Sequence, residues 1–192
     1  MKYCSYCGAE IILMVPEDDN RERHVCMQCD TIHYQNPKIV AGCIPEWEDR
    51  ILLCRRAIEP RHGLWTLPAG FMELGETTLE AAVRETMEEA NARVDVQDLY
   101  MVINLPHVDQ VYMMFRSRLR DTNFFPGPES HEVELFERDR IPWDELAFPT
   151  IRETLRYYYQ DRDRGKFRQR SGDIIREESG YLFRLNGNGT ED

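Results

Sequence analysis

Glu85, Glu88 and Glu89 fall within five residues, inside the stretch GFMELGETTLEAAVRETMEEANA that runs from Gly70 to Ala92. At about 100° per residue, a helix over Thr78–Ala90 gathers these carboxylates on one arc. Leu79, Val83, Thr86, Met87 and Ala90, with Ala82 at the border, are expected to form the buried stripe on the other side. Thr77 and Glu80 have the spacing of a capping box. An acidic run is ordinarily a solvated face, but three features set this one apart. The glutamates sit toward the helix C-terminus, where the macrodipole disfavours negative charge. Glu85 and Glu89 are a like-charged i,i+4 pair, and no Lys or Arg follows them at i+4 within the helix. The breaker-rich segment LPAGF, with its backbone carbonyls, leads directly into the helix. Several carboxylates, a carbonyl and water are the oxygen donors a hard cation takes, so the pattern points to Mg²⁺ or Mn²⁺.

A second set of ligand-type residues lies near the amino terminus. Cys4-x2-Cys7 is followed by 18 residues and then by Cys26-x2-Cys29. Two CxxC turns at this separation fit a zinc ribbon, in which each turn supplies half of a tetrahedron of thiolates. A segment of about 30 residues cannot bury enough apolar surface to fold alone, so metal ligation supplies stability. Four thiolates leave no open coordination position, which makes this zinc structural. Cys43 and Cys54 lie in apolar, strand-like runs and are expected as core thiols.

The elements that must position these groups follow from the pattern of the 192 residues. IVAGCIPEW and ILLCRR read as strands joined by a turn at Glu48-Asp49-Arg50. RHGLWTLPAGF reads as a loop. ARVDVQDLYMVINLP and QVYMMFRSRL read as two more strands, and VELFERDRIP as a short one. Trp143–Phe148 reads as a helical turn. Thr150–Arg162 has Ile151, Leu155 and Tyr158 at helical spacing. From about Gly165 the chain is polar and is expected to be mobile or loosely docked. The division expected is 1–35, a zinc ribbon; 36–162, an α/β domain; and 163–192, a tail.

A net charge of −11 argues against a nucleic-acid partner, since phosphate backbones would be repelled. No apolar run approaches the roughly 20 residues of a membrane span. The amino terminus lacks the charged region and long apolar core of a secretory leader, so a reducing, cytoplasmic setting is expected.

The spacing Gly70-x5-Glu76-x7-Arg84-Glu85-Thr86-x-Glu88-Glu89-x-Asn91-Ala92 resembles the Nudix box, Gly-x5-Glu-x7-Arg-Glu-U-x-Glu-Glu-x-Gly-U, where U is a bulky apolar residue. Thr86 departs from the pattern but carries a methyl group toward the buried stripe. Asn91 stands where the box closes on glycine, and Asn is the next-best residue for the left-handed conformation expected there. Ala92 is smaller than the usual last residue. The resemblance implies an α/β/α sandwich with a mixed sheet and an enzyme that hydrolyses a nucleoside diphosphate linked to another moiety, X. It implies Glu85, Glu88 and Glu89 as ligands of Mg²⁺ or Mn²⁺, with the carbonyl of Gly70. Arg84 would orient the glutamates, Glu76 included.

A carboxylate must take a proton from water, either one of the box or one in a loop outside it; for the latter PGPESHEVELF offers Glu132 first and Glu129 second, then Glu134. Arg55 or Arg56 could meet a phosphate, and Trp65 or Phe71 a base or flavin ring. Beyond the box, the CxxC pairs, HYQNPK, GCIPEW, LLCRRAIEPRHGLWTLPAGFMELGE, PGPES and IPWDELAF resemble the FAD and ADP-ribose pyrophosphatases of plant chloroplasts. NADH pyrophosphatases and enzymes that remove NAD caps carry a SQPWPFP-type motif after the box, which INLPHVDQVYMMF lacks. A non-catalytic nucleotide- or RNA-binding module is the reading of another class, and such modules usually lose the glutamates retained here. In many relatives a dimer partner shapes the pocket for X, so a homodimer is compatible with the resemblance.

Overall fold

The structure, a computed structural model, describes residues 1–178 and 180–186. It divides into two compact units, Met1–Pro37 and Lys38–Asp192. Among the described residues no helix is long and apolar enough to cross a membrane.

The first unit is an antiparallel sheet of β1 (Ile11–Met14), β2 (Arg23–Cys26) and β3 (Ile32–His33), in that order. Each CxxC turn is followed by a residue at positive φ, Gly8 after Cys7 and Asp30 after Cys29. Both turns thus double back tightly, as glycine permits most easily. Little is buried here beyond Cys4, Val25, Cys26 and His33, too little apolar surface to hold so short a segment without a staple.

The second unit is built on β4 (Lys38–Trp47), β5 (Arg50–Arg56), β6 (Trp65–Thr66), β7 (Ala69–Phe71), α1 (Thr78–Ala90), β8 (Val94–Leu105), β9 (Gln110–Leu119), β10 (Ser130–Phe136), α2 (Pro149–Asp163), β11 (Arg170–Glu177) and β12 (Gly180–Asn186). The sheet order is β10-β5-β4-β9-β8-β11-β12. β4 runs parallel to β9, and β8 parallel to β11, while the other pairs are antiparallel, so the sheet is mixed. Side chains alternate between faces along each strand. On β5, Ile51 and Leu53 join a cluster with Ile151, Leu155 and Tyr158 of α2, whereas Leu52 and Cys54 join one with Ala81, Ala82 and Ala90 of α1. The helices therefore cover opposite faces, the α/β/α layering expected. Cys43 and Cys54 are buried thiols of the α1 layer.

β4 and β5 pair only at the base of their hairpin, through Glu46–Ile51 and Trp47–Arg50. Farther along they separate. β6 pairs with β5 and β7 with β4, so the stretch expected as a loop carries two short strands of the sheet. Gly42 permits this, since a Cβ there would collide with Ala69 and the carbonyl of Pro68. The insertion fixes Gly70 opposite Ala41, beneath α1.

The carboxyl-terminal segment differs from expectation. α2 runs one residue beyond Arg162, and β11 and β12 extend the sheet. The reason is Asp161, 1% exposed, which accepts from the Tyr100 hydroxyl (3.0 Å), Arg170 Nη2 (2.6 Å) and the Arg168 amide (3.1 Å). This network pins the polar segment to β8, and Ile174 joins the core. Residues 187–192, the rest of the expected tail, lie outside the described residues.

Burial alone would raise the Asp161 carboxyl, but Arg170, the Arg168 amide and Tyr100 outweigh it and hold the group below its ordinary value of 3.8. Its stabilisation is therefore complete above that value and is lost as pH falls through the lower, folded value. Asp161→Asn is expected to cost about 3–5 kcal/mol, as when one partner of a buried pair is removed. Urea melts at neutral pH should show that difference, and it should shrink in melts taken below about pH 4.

Candidate active site

α1 begins at Thr77, whose hydroxyl accepts from the Glu80 amide while the Glu80 carboxylate accepts from the Thr77 amide, the capping box in full. It ends at Asn91, which is left-handed at φ 48 and ψ 30, as the replacement of the box's last glycine predicts. The buried face is rotated from the expected one, which holds for Ala82, Thr86 and Ala90 but not for Leu79 and Met87. Ala81, Ala82, Thr86, Glu89 and Ala90 are buried, while Leu79 and Met87 are 45% and 39% exposed. The helix approaches the sheet on its alanines, which allow close contact, and this draws Glu89 into the interior. Thr86 satisfies its hydroxyl on the carbonyl of Ala82, at 2.7 Å.

The absence of a cation after the glutamates within the helix also misleads, because the counter-ion precedes them. Arg84 Nη1 donates to Glu85 (2.8 Å) and to Glu88 (2.9 Å), its i+4 neighbour. Its Nε and Nη2 grip Glu76 at 3.0 and 2.8 Å, and Nη2 also reaches the carbonyl of Phe71 at 3.1 Å. One planar fork thus binds three carboxylates and the box loop. Arg84, then the Glu73 amide, hold the Glu76 carboxyl down to about 2.

Glu89 is 6% exposed and accepts from the Ala69 amide at 3.2 Å. Burial pushes its carboxyl up to about 8; the Ala69 amide and Arg56 oppose this, while Glu85 and Glu129 add to it. Burial raises Glu85 as well, against the pull of Arg84. Glu85 packs against the α-carbon side of Gly70, where any Cβ would overlap its carboxylate.

These groups line a cavity of about 860 Å³ together with Phe71, Met87, Tyr112 and Phe148. Glu129 enters it because the loop 124–128 closes over the end of α1. The Phe125 and Gly127 amides donate to the carbonyls of Ala90 and Glu89, at 3.0 and 2.9 Å, and Asn91 Nδ2 donates to the carbonyl of Phe125. A side chain at Gly127 would strike the Glu88 carbonyl. Glu132, the first choice for an outside base, is not in the cavity wall. It lies on β10, where its exposed carboxylate faces Arg55 Nη1 at 3.5 Å. Glu134 is likewise outside the wall. Arg56 lines the cavity, with its guanidinium over the ring of Phe148, whereas Arg55 Nε is spent on the Gly63 carbonyl. Trp65 is buried edge-to-face on Phe136, and Phe71 is the exposed ring at the cavity. Ile58, Glu59 and Pro60 form part of the opposite wall, from a loop with no distinctive motif.

In the first unit the ligand sulfurs of Cys4, Cys7, Cys26 and Cys29 lie within 4.8 Å of one another. With zinc–sulfur bonds of about 2.3 Å, the edge of an S₄ tetrahedron is about 3.8 Å, so the four thiols fit one zinc. Among the described residues this is the one group of three or more such side chains drawn so close. The cavity glutamates are spread wider, with Glu85 and Glu88 turned to Arg84.

Residues 36–170 match the family described as NUDIX domain, and residues 2–35 match the zinc-ribbon family described as Nudix N-terminal. A solved structure of a Nudix hydrolase from Nitrosomonas europaea is 55% identical, with a TM-score of 0.90 over 92% of this chain and 100% of that one. The ADP-ribose pyrophosphatase of Methanocaldococcus jannaschii is 33% identical over 60% of this chain and 69% of its own length. The NAD-capped RNA hydrolase NudC of Escherichia coli is 38% identical over 76% of this chain, and the chain spans only 53% of that protein.

The geometry separates the six cysteines into two classes. Metal analysis is expected to find one zinc per chain. After its removal by a strong chelator, four thiols should react with a disulfide reagent, and the two buried ones, Cys43 and Cys54, only on unfolding.

Proposed function

The chain belongs to the Nudix hydrolases, and from that premise we propose that it splits the diphosphate bond of FAD or ADP-ribose, releasing AMP. The other product is FMN from FAD and ribose 5-phosphate from ADP-ribose. The observation that carries this reading is the convergence of Glu85, Glu88, Glu89 and Glu129 on one cavity, with the backbone of Gly70 beside them. The cavity volume suits a small-molecule ligand, and the relative from M. jannaschii bears the name of an ADP-ribose pyrophosphatase.

The donor set fits Mg²⁺ or Mn²⁺. It consists of hard oxygens, and the wide spread of the carboxylates suits ions that keep several waters. The burial that raises Glu85 and Glu89 marks a site whose negative charge lacks compensation, and a dication favours their ionised forms. Glu85, Glu88, Glu89 and the carbonyl of Gly70 would hold it. Bound there, a divalent cation supplies Lewis acidity toward the diphosphate oxygens.

The rest falls to the protein. Glu129 accepts a proton from the attacking water as its oxygen bonds to phosphorus, and the bridging P–O bond breaks to release the second phosphate. Arg84 works through the glutamates: it fixes the rotamers of Glu85 and Glu88 while Glu76 anchors its far side. Arg56 faces the diphosphate. Phe71 and Phe148 offer apolar surfaces to the base or to X.

A second reading, cleavage of NADH or of an NAD cap, is favoured by the identity to the E. coli NudC and opposed by the missing SQPWPFP-type motif. Product analysis with Mg²⁺ or Mn²⁺ on FAD, ADP-ribose, NADH and 8-oxo-dGTP decides between them. AMP should appear fastest from FAD or ADP-ribose; preference for NADH selects the second reading, and no product from any supports a non-catalytic binding module.

Glu88→Gln should remove most turnover while leaving the thermal melt intact. Glu129→Gln should lower kcat by about 10²-fold or more, the usual contribution of a positioned base, whereas Glu132→Gln should stay close to wild type. The reverse order for the last two would return the base to Glu132.

A further inference from the structure

His62 and His131 have no part in the chemistry above, yet the fold brings them together from separate elements. Their Nε2 atoms lie 2.9 Å apart and their rings stand 81° to one another. Both side chains are exposed.

Neither position is casual. His131 lies where the pairing of β10 with β5 slips, between Ser130–Arg56 and Glu132–Arg55. Such an extra residue re-aims a side chain that regular pleating would send elsewhere. His62 sits in the loop 57–64, whose backbone is held from several sides. The Arg56 amide donates to the Leu64 carbonyl and the Gly63 amide to the Arg56 carbonyl, at 2.9 and 2.8 Å. Arg55 Nε and Arg56 Nε each donate to the loop, at the carbonyls of Gly63 and Pro60, both at 2.9 Å. The Ala57 amide ties the loop's start to the Glu129 carbonyl at 2.8 Å. Two imidazole nitrogens are thus presented side by side by backbone that is already ordered.

The geometry points to a further metal site here, a two-histidine chelate for a late first-row divalent cation. Two facing imidazoles can instead share one proton in an N–H···N bond, so the site is a choice between a proton and a metal. Imidazole nitrogen is a borderline donor that suits Cu²⁺, Ni²⁺ and Zn²⁺ rather than Mg²⁺. With metal–nitrogen bonds of about 2.0–2.1 Å, nitrogens 2.9 Å apart subtend about 90° at the ion. That is the angle between adjacent ligands in square-planar or octahedral coordination; a tetrahedral ion would need a separation of about 3.3 Å. Cu²⁺, which heads the affinity order for such nitrogen donors, is the ion expected to bind most tightly, and water fills the remaining positions. The ion clips the loop that carries Ile58, Glu59 and Pro60 to the strand that follows Pro128 and Glu129, joining two segments of the cavity wall.

The test uses the full chain with its ribbon loaded with zinc and with excess Mg²⁺ present. Titrated with Cu²⁺, it should bind one equivalent whose electron paramagnetic resonance spectrum shows coupling to two imidazole nitrogens. Amide exchange over 57–64 should slow on binding. His62→Asn and His131→Asn should each leave Mg²⁺-dependent turnover unchanged and weaken Cu²⁺ binding by at least about tenfold, a loss that even outer partners of metal ligands produce. A wild-type spectrum without two-nitrogen coupling, or binding that survives both substitutions, overturns the site. Turnover itself does not decide the matter, so this result stands apart from that of the product assay.

Discussion

Negative charge in a poorly solvated wall is the constraint around which this protein is arranged. Glu89 is buried beside Glu85 and Glu129, and burial drives the first two of these carboxyls toward their neutral forms. An isolated set of this kind would simply take up protons or turn outward. Arg84 prevents the second response by holding Glu76, Glu85 and Glu88 in one fork. It is a neutralising group as well as a positioning one, and its planar, always-charged head does what a lysine's point charge cannot. Against the first response, the dication proposed above would favour the ionised forms.

Holding the wall in place falls to three close backbone approaches. The β4–β5 hairpin opens to admit Trp65–Phe71, because Gly42 leaves space for Ala69. Gly70 then lies flat against Glu85. At the far end of α1, Asn91 turns left-handed and the chain around Gly127 hydrogen-bonds to the last carbonyls of the helix. These bonds satisfy groups that every helix end leaves open, and they also deliver Glu129 to the cavity. Capping the helix and shaping the cavity wall are here one set of contacts.

Much of this was legible from residue order. The limits of α1, its capping box, the left-handed Asn91, the β4–β5 turn and the four-cysteine cluster all follow from local rules of spacing and backbone preference. What was not legible depended on partners remote in sequence. Periodicity favoured Leu79 and Met87 as the buried face, but small alanines on the other side allow a closer approach to the sheet, and packing overrode hydrophobicity. Arg84, the i,i+4 counter-ion to Glu88, enters the sequence reading only through the resemblance to the box, because a spacing argument that looks after the glutamates passes over it. Glu132 and Glu129 are equivalent as residue types; only the loop's bonds to the end of α1 tell them apart. The polar composition after Gly165 suggested a loose tail, yet Asp161 on α2 recruits Arg168, Arg170 and Tyr100 and converts the segment to strands.

The opened β4–β5 hairpin leaves the two rims of the cleft with unequal freedom to diverge. The rim built from Ala69–Phe71 and α1 is woven into the sheet and locked to Arg84, so almost any insertion there would displace a carboxylate. The rim at Ile58–Pro60 hangs from the ends of β5 and β6 and can lengthen or shorten without breaking a ladder between central strands. Over evolutionary descent that outer lip can therefore vary while the carboxylate wall stays unaltered. One scaffold of this kind can give rise to many diphosphate-splitting catalysts that differ only in what hangs from the second phosphate.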